Sequence, residues 1–467
     1  MKKYLIGIMA IITLFTSCDN YVDIKTEGKL IPEETVNFRY LLNNSSIYNK
    51  YYGLIDVASD DIIMRDDHAT FYQKNYSSAF YRPYLQAYKW ADSIYFAGET
   101  DSQMNVMYTT LYYSNVVIAD VMNSKNGTYE EKLKLKGEAQ VHRAFAFLNL
   151  VTIFGKAYDE STSSADLGIP IFTTPTVNEK VERASVKKVY ETIISDLTEA
   201  ANAGLNDINT GRNVVFPSKA AAYGLLARTY LYMGNYTEAL KYAEQALTLK
   251  NSLLNLANYI NTGDGAFPRS FQDPELILSK QTTTYSSSPL FLSISDELIN
   301  SFDTKDLRYE KYTRSINTLT RGTLTQGRAL CKEILTGESR NAGPTVPEMM
   351  LIKAECLARA NNASGAMDVI NTLRKSRFRA ADYYDLTATD ATDALVKVLA
   401  ERRKELMGVG GFRWADLKRL NKESRFAKTI THPFLTQTFT ITPGGNRYQF
   451  PFAPIYFELA PDLQQNN

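Results

Sequence analysis

The stretch 218–250, a serine followed by KAAAYGLLARTYLYMGNYTEALKYAEQALTLK, limits most sharply what this chain can fold into. Ala222, Leu225, Leu226, Thr229, Tyr230 and Met233 recur at three- and four-residue steps, which places them on one helix face. Gly234-Asn235 interrupts the pattern. Ala239, Leu240, Ala243, Ala246 and Leu247 then form the inward row of a second helix. The small side chains of Ala227 and Ala239 let the two backbones approach closely. Such a hairpin cannot cover both of its faces alone, so it predicts neighbouring helical units.

A second hairpin is predicted at 347–374, where Ala354, Leu357, Asn361, Ala366, Ile370 and Leu373 repeat the spacing of the first. That spacing resembles the tetratricopeptide repeat, a helix–turn–helix unit of about 34 residues. Further helices are predicted at 36–42, 81–95, 104–122, 129–155, 185–201 and 390–408. The 129–155 helix has Leu133, Gly137, Ala144, Phe145, Leu148, Val151 and Phe154 inward, and Ser185 caps the next one. Residues 251–317 carry Gly263, Gly265, Pro268, Pro274 and Pro289 and read as loops, with a short strand at 275–281. The expected fold class is mainly α: a tetratricopeptide-like helical repeat scaffold with irregular loops and a few short strands.

The N-terminus reads as a targeting segment. Lys2 and Lys3 precede an apolar run at 5–15, which is too short to span a membrane, and Phe15-Thr16-Ser17 leads into Cys18. This predicts a lipoprotein signal at 1–17, cleavage before Cys18 and acylation of that residue, whose acyl chains hold the protein on a membrane. The rest, 18–467, is expected to be one domain, with helical repeats at about 104–250 and 347–420 and a ligand-loop region at about 251–346. Lys+Arg 52 against Asp+Glu 51 gives a net charge of +1, so no global field attracts nucleic acid. Three cysteines cannot build a disulfide framework; pairing of Cys331 with Cys356 stays open.

Little in the sequence points to catalysis. Asp56, Asp60, Asp61, Asp66 and Asp67 cluster beside His68, but their spacing fits no calcium loop, and the run reads as a solvated acidic loop. Glu401 and Glu405, four residues apart among Arg402, Arg403 and Lys404, read as salt-bridge partners rather than a catalytic pair. The histidines are His68, His142 and His432, with no His-Glu-x-x-His zinc motif and no Gly-x-Ser-x-Gly elbow. A glycosidase needs only two carboxylates and stays open as a less favoured alternative.

ERRKEL at 401–406 followed by FRWADLKRL at 412–420 resembles the C-terminal signature of the SusD/RagB family, the starch-utilisation-type nutrient-binding lipoproteins of the bacterial outer membrane. Glu138-Ala139 with Arg143-Ala144-Phe145, Val189-Tyr190 with Asp196-Leu197, Ala354-Glu355 with Ile370-Asn371, and the tail with Pro451, Glu458 and Pro461 agree with it in order. The chain departs in lacking a tryptophan around Met107 and in being short for the family. The resemblance implies a cell-surface protein that captures an oligosaccharide, or in some members a peptide, and passes it to a SusC-type TonB-dependent transporter. No cofactor and no metal ligands are expected; the presence of a structural cation stays open.

A pyranose offers apolar C–H faces and hydroxyl edges, so aromatic platforms and polar edge partners would hold it. Candidate platforms are Tyr72, Trp90, Tyr95, Phe96, Tyr285 and Phe291, with Asp66, Arg82 and Asn105 as edge partners. A partly wet site of this kind is expected to bind at about micromolar to millimolar strength.

Overall fold

In a computed structural model, residues 32–176, 180–259, 267–282, 293–332 and 336–466 are described. The longer helices are α1 (Thr35–Leu42), α2 (Asp66–Lys74), α3 (Arg82–Tyr88), α4 (Ser102–Asp120), α5 (Tyr129–Phe154) and α6 (Val186–Ala201). They continue with α7 (Lys219–Met233), α8 (Tyr236–Leu249), α9 (Val346–Arg359), α10 (Ala363–Lys375), α11 (Ala391–Glu405) and α12 (Phe412–Leu420). Side chains fix where most of them start. Thr128 and Glu131 form a capping box at α5, and Ser185, Ser218, Asn235, Thr345, Asn362 and Asp390 each accept a first-turn N–H of the helix that follows. Gly234 ends α7 with φ of 78°, the left-handed conformation that suits glycine.

α4 to α8 pack successively in chain order, and α8 then packs on α9 as though residues 250–345 were absent. α9 carries α10 and α11. The whole is the expected scaffold of helical hairpins, with the 250–345 excursion leaving and rejoining it. α5 lies at the centre: from Gly137 to Phe154 every residue but Thr152 is buried. A Cβ added at Gly137 would come within 2.6 Å of the Ala203 side chain, so glycine permits the close approach of the segment after α6. One hydrophobic cluster runs from Tyr51 to Leu463.

The strands are short. β1 (Leu167–Pro170) pairs antiparallel with β2 (Arg183–Ser185), β3 (Thr313–Ser315) with β4 (Arg328–Leu330), and β5 (Ile430–Phe434) with β6 (Gln437–Ile441). Three expectations need correction. The 81–95 helix stops at Tyr88, because Trp90 takes φ of 50° and cannot continue it. The 275–281 strand reduces to Gln281–Thr282, paired in parallel with Lys50–Tyr51. The acidic run is solvated only at its end: Asp56, Asp60 and Asp61 are buried, whereas Asp66 is exposed. Asp60 accepts two hydrogen bonds from Arg413 at 2.7 and 2.8 Å, and Asp61 accepts one from Arg403 at 2.7 Å. Asp56 accepts the Tyr51 hydroxyl and the Gly411 N–H, both at 2.8 Å.

Ion pairing of Glu401 and Glu405 holds, although the partners of Glu405 come from other elements. Arg308 in the excursion reaches Asp306 (2.7 Å), Glu401 (2.5 Å) and Glu405 (2.9 Å). Arg377 reaches Glu405 and Glu275 at 2.7 and 2.8 Å. All six are buried. Burial alone would raise the Glu405 carboxyl, but Arg377 and Arg308 outweigh it and hold it at about 2. Cys331 and Cys356 are buried thiols that do not bond to one another.

Two buried lysines have no carboxylate partner among the described residues. Lys418 donates to the carbonyls of Thr152 and Gly155 at 2.7 and 2.5 Å, closing the C-terminus of α5, where a cation suits the helix dipole. Arg183 and Asn466 add hydrogen bonds to Phe154 O at 3.2 and 2.8 Å. Lys280 contacts Tyr48 O and, at 2.8 Å, His142 Nδ1.

Removing one member of the buried ion network should be costly. Arg377→Ala is expected to lower the unfolding free energy by about 3–5 kcal/mol in guanidinium titrations. Lys241→Ala, which breaks an exposed pair with Glu238, should change it by less than about 1 kcal/mol. The lysines generate a pH dependence. Burial pulls Lys280 and Lys418 down to about 7, whereas an unfolded lysine titrates near 10.4. Between these values the unfolded chain binds more protons, so stability contributed by these groups rises with pH. Denaturant titrations at pH 7 and pH 9 should show a gain at the higher pH, reduced in Lys418→Met.

Candidate functional site

The N-terminal segment and the excursion meet beside α2. Ile63 N donates to Ser293 O at 2.9 Å, and Asp67 Oδ2 accepts the N–H groups of Thr325 and Gln326 at 2.6 and 3.0 Å. Those two hydrogen bonds outweigh a burial penalty and hold the Asp67 carboxyl below its ordinary range. Phe71 on α2 packs against Ile316, Leu324 and Ala329 of the excursion. At this junction the turn between α2 and α3 and the loop after α3 carry a cluster of rings.

Three of these rings stand at the surface: Phe96 is 49% exposed, Phe80 41% and Tyr76 37%. Tyr76 meets Phe96 edge-on, with centroids 6.3 Å apart. Phe80 contacts Tyr81 and Tyr84 at 5.1 and 6.2 Å. Beneath them, Tyr81 stands at right angles to Phe71 (5.1 Å) and Tyr72 (6.0 Å). The rings are mutually inclined, an interlocked arrangement that fixes each plane.

Phe96 is held most firmly. The Arg82 guanidinium lies over its ring at 3.7 Å from the centroid, and Glu99 binds that guanidinium while accepting the Phe96 N–H at 2.8 Å. Against a small burial penalty, the Arg82 hydrogen bond holds the Glu99 carboxyl below its usual range. One face of Phe96 is thus occupied by a cation–π contact. The Arg82 side chain is buried.

Arg82 and Phe96 therefore come together, although Arg82 supports the ring and does not stand at an exposed edge. Asp66 is exposed at the start of α2. Tyr72, Trp90 and Tyr95 are corrected: all three are buried and offer no ring face to a ligand. Trp90, 3% exposed, donates from Nε1 to Ala58 O at 2.9 Å and stacks on His432 with centroids 4.2 Å apart. Tyr72 is a support beneath the surface rings. Asn105 is exposed on α4, accepts the Tyr456 hydroxyl at 2.7 Å, and lines a different cavity. Tyr285, Phe291 and Cys18 lie outside the described residues.

Tyr76 and Phe80 were missed by the sequence reading. Their signal is the run Tyr76-Ser-Ser-Ala-Phe80, where large rings flank small polar residues in a turn that would otherwise be wholly polar. The structure also removes the carboxylate pair from catalytic consideration, since Glu401 and Glu405 are both buried in ion pairs. Among the described residues no group of three or more side chains is arranged to ligate a metal, and no helix is long and apolar enough to cross a membrane.

Comparison with known proteins places this architecture. A family model described as "Starch-binding associating with outer membrane" matches residues 20–231, and the SusD family model matches 346–456. No curated protein matches the chain. Among solved structures, a SusD superfamily protein from Bacteroides thetaiotaomicron is 21% identical, with 93% of this chain and 100% of that one aligned at a TM-score of 0.71. A SusD superfamily protein from Bacteroides fragilis is 18% identical, with 93% and 100% covered and a TM-score of 0.70. A SusD-like carbohydrate binding protein from Bacteroides vulgatus is 18% identical, with 92% and 97% covered and a TM-score of 0.60. The two models span both ends of the helical scaffold, including the ERRKEL and FRWADLKRL segments, and the chain belongs to the SusD/RagB family.

Proposed function

We propose that this protein captures glycans at the cell surface and delivers them to a SusC-type TonB-dependent transporter, held to the outer membrane by acylation at Cys18. The observation that carries the binding step is the exposed ring cluster of Tyr76, Phe80 and Phe96, with Phe96 fixed by Arg82. A monosaccharide unit has an apolar face that covers such a ring, and hydroxyl edges that hydrogen-bond to polar groups; Asp66, at the opposite end of α2 from Tyr76, stays a proposed edge partner. A pre-ordered ring loses little side-chain entropy on binding. The printed description of the N-terminal family model, which speaks of starch binding and outer-membrane association, supports the same reading. So does the carbohydrate-binding relative from Bacteroides vulgatus. The role is one of binding rather than turnover.

Tyr285 and Phe291 stay as additional proposed platforms from the same excursion. The proposal treats 1–17 as the signal and 18–467 as one folded unit.

Calorimetry and affinity gels against plant, host and microbial polysaccharides are expected to show retention of one polysaccharide class without release of reducing sugar. Release of reducing sugar would assign a hydrolase, and exclusive binding of a peptide panel would replace the glycan. Phe96→Ala is expected to weaken binding at least tenfold, about 1.4 kcal/mol, and to change the unfolding free energy by less than about 1 kcal/mol. Trp90→Ala should lower stability by about 3–5 kcal/mol, as expected for a large core ring.

A further inference from the structure

A second concave surface lies apart from the ring cluster, between α4, the segment that follows β1 and the C-terminal turn Ile455–Leu459. It encloses about 370 Å3. Tyr108, Leu111, Phe172 and Phe452 line it together with Tyr456 and Leu459. Apart from the Tyr112 hydroxyl and the Asn105 amide N–H groups, the polar side-chain atoms of the lining are already used internally. Tyr108 Oη donates to Pro170 O at 3.2 Å, and Tyr456 Oη to Asn105 Oδ1 at 2.7 Å. The Asn115 amide donates to Phe172 O and Thr174 O at 2.8 and 3.1 Å, while its Oδ1 accepts from Arg143 at 2.9 Å. What remains for an occupant is mainly ring face and aliphatic surface. Leu459 at its edge is 76% exposed, the most of any large hydrophobic residue described.

The rim has a sign. Glu182, Glu458 and Asp462 are exposed and adjoin the lining residues Val181, Leu459 and Leu463. Lys180 pairs with both Glu182 and Asp462. Glu458 has no ion-pair partner among the described residues, so three carboxylates stand against two cations, the Lys180 ammonium and the Arg183 guanidinium, which lies 5.2 Å from the centroid of the lining Phe452 ring. We propose that this groove docks a polypeptide segment of a partner protein that carries one or two bulky apolar side chains next to basic residues. Apolar surface rimmed by charge marks an interaction site, and the sign of the rim selects the partner. The volume lies at the small end of ligand cavities and admits one or two large side chains. A fatty acid would bring its carboxylate to an acidic rim, and a sugar would find most of the polar groups already engaged.

The test uses the full chain in lipid nanodiscs and fluorescence anisotropy of two labelled peptide amides, Lys-Leu-Phe-Lys and Glu-Leu-Phe-Glu. The basic peptide is expected to bind at least tenfold more tightly than the acidic one. Leu459→Asp and Glu458→Lys, both at exposed positions, should each weaken it fivefold or more, and Phe96→Ala should leave it unchanged. Equal binding of the two peptides, no binding of either, or indifference to both groove variants would overturn the proposal. Concentration-dependent dimerisation abolished by Leu459→Asp in sedimentation velocity would overturn it too, by assigning the groove to a second copy of this chain.

Discussion

Glu405 is a carboxylate with almost no water around it, and much of the structure is arranged to keep it charged. Arg308 arrives from the excursion, Arg377 follows α10, and Glu405 itself ends α11. A buried charge of this kind must be matched closely, because its desolvation is only offset when each partner is in place. The excursion is short of regular structure, and two of its own hydrophobic groups, around Leu254–Leu307 and Ile316–Ala329, are small. Its attachment to the helical stack therefore relies on paired charge as well as on apolar area. Through Phe71, which meets Tyr81, the aromatic surface beside α2 rests on that excursion.

The two segments that carry the family likeness have a physical explanation in the same terms. In ERRKEL, Glu401 and Glu405 bind Arg308, Arg402 binds Asp416 at 2.8 Å, and Arg403 binds Asp61. In FRWADLKRL, Arg413 binds Asp60, Lys418 closes α5, and Arg419 binds Glu355 at 2.5 Å. These charged residues work as cross-links within the frame; none of them stands in the ring cluster. A signature of this kind identifies the architecture and is silent on the ligand.

The helical hairpins were legible in the sequence because their causes are local. Apolar spacing, capping serines, asparagines and threonines, and a left-handed glycine all lie within a few residues of the element they define. The acidic run was misread for the opposite reason. Asp61 finds Arg403 at a separation of 342 residues and Asp60 finds Arg413 at 353, and nothing near residue 60 announces them. Trp90 and Tyr95 were misplaced because an aromatic residue in a loop has the same local signature whether it faces water or fills the core. Phe96 was named from composition alone and stands exposed, while Arg82 beneath it was named for hydrogen bonding to a ligand and instead braces the ring. Tyr76 and Phe80 lay in a turn that showed no periodicity to read.

The C-terminal end of α5 carries a consequence for how the chain reaches this state. Its last carbonyls are met by Lys418, Arg183 and finally Asn466. Asn466 acts as a latch on the innermost helix. The two ends of that contact are 312 residues apart, so it belongs to the slow, non-local class of folding events. The central helix can begin to wind early in synthesis, yet its final turn stays open to water until Lys418 and Asn466 have joined it. Completion of the core is thereby tied to a residue 312 positions downstream.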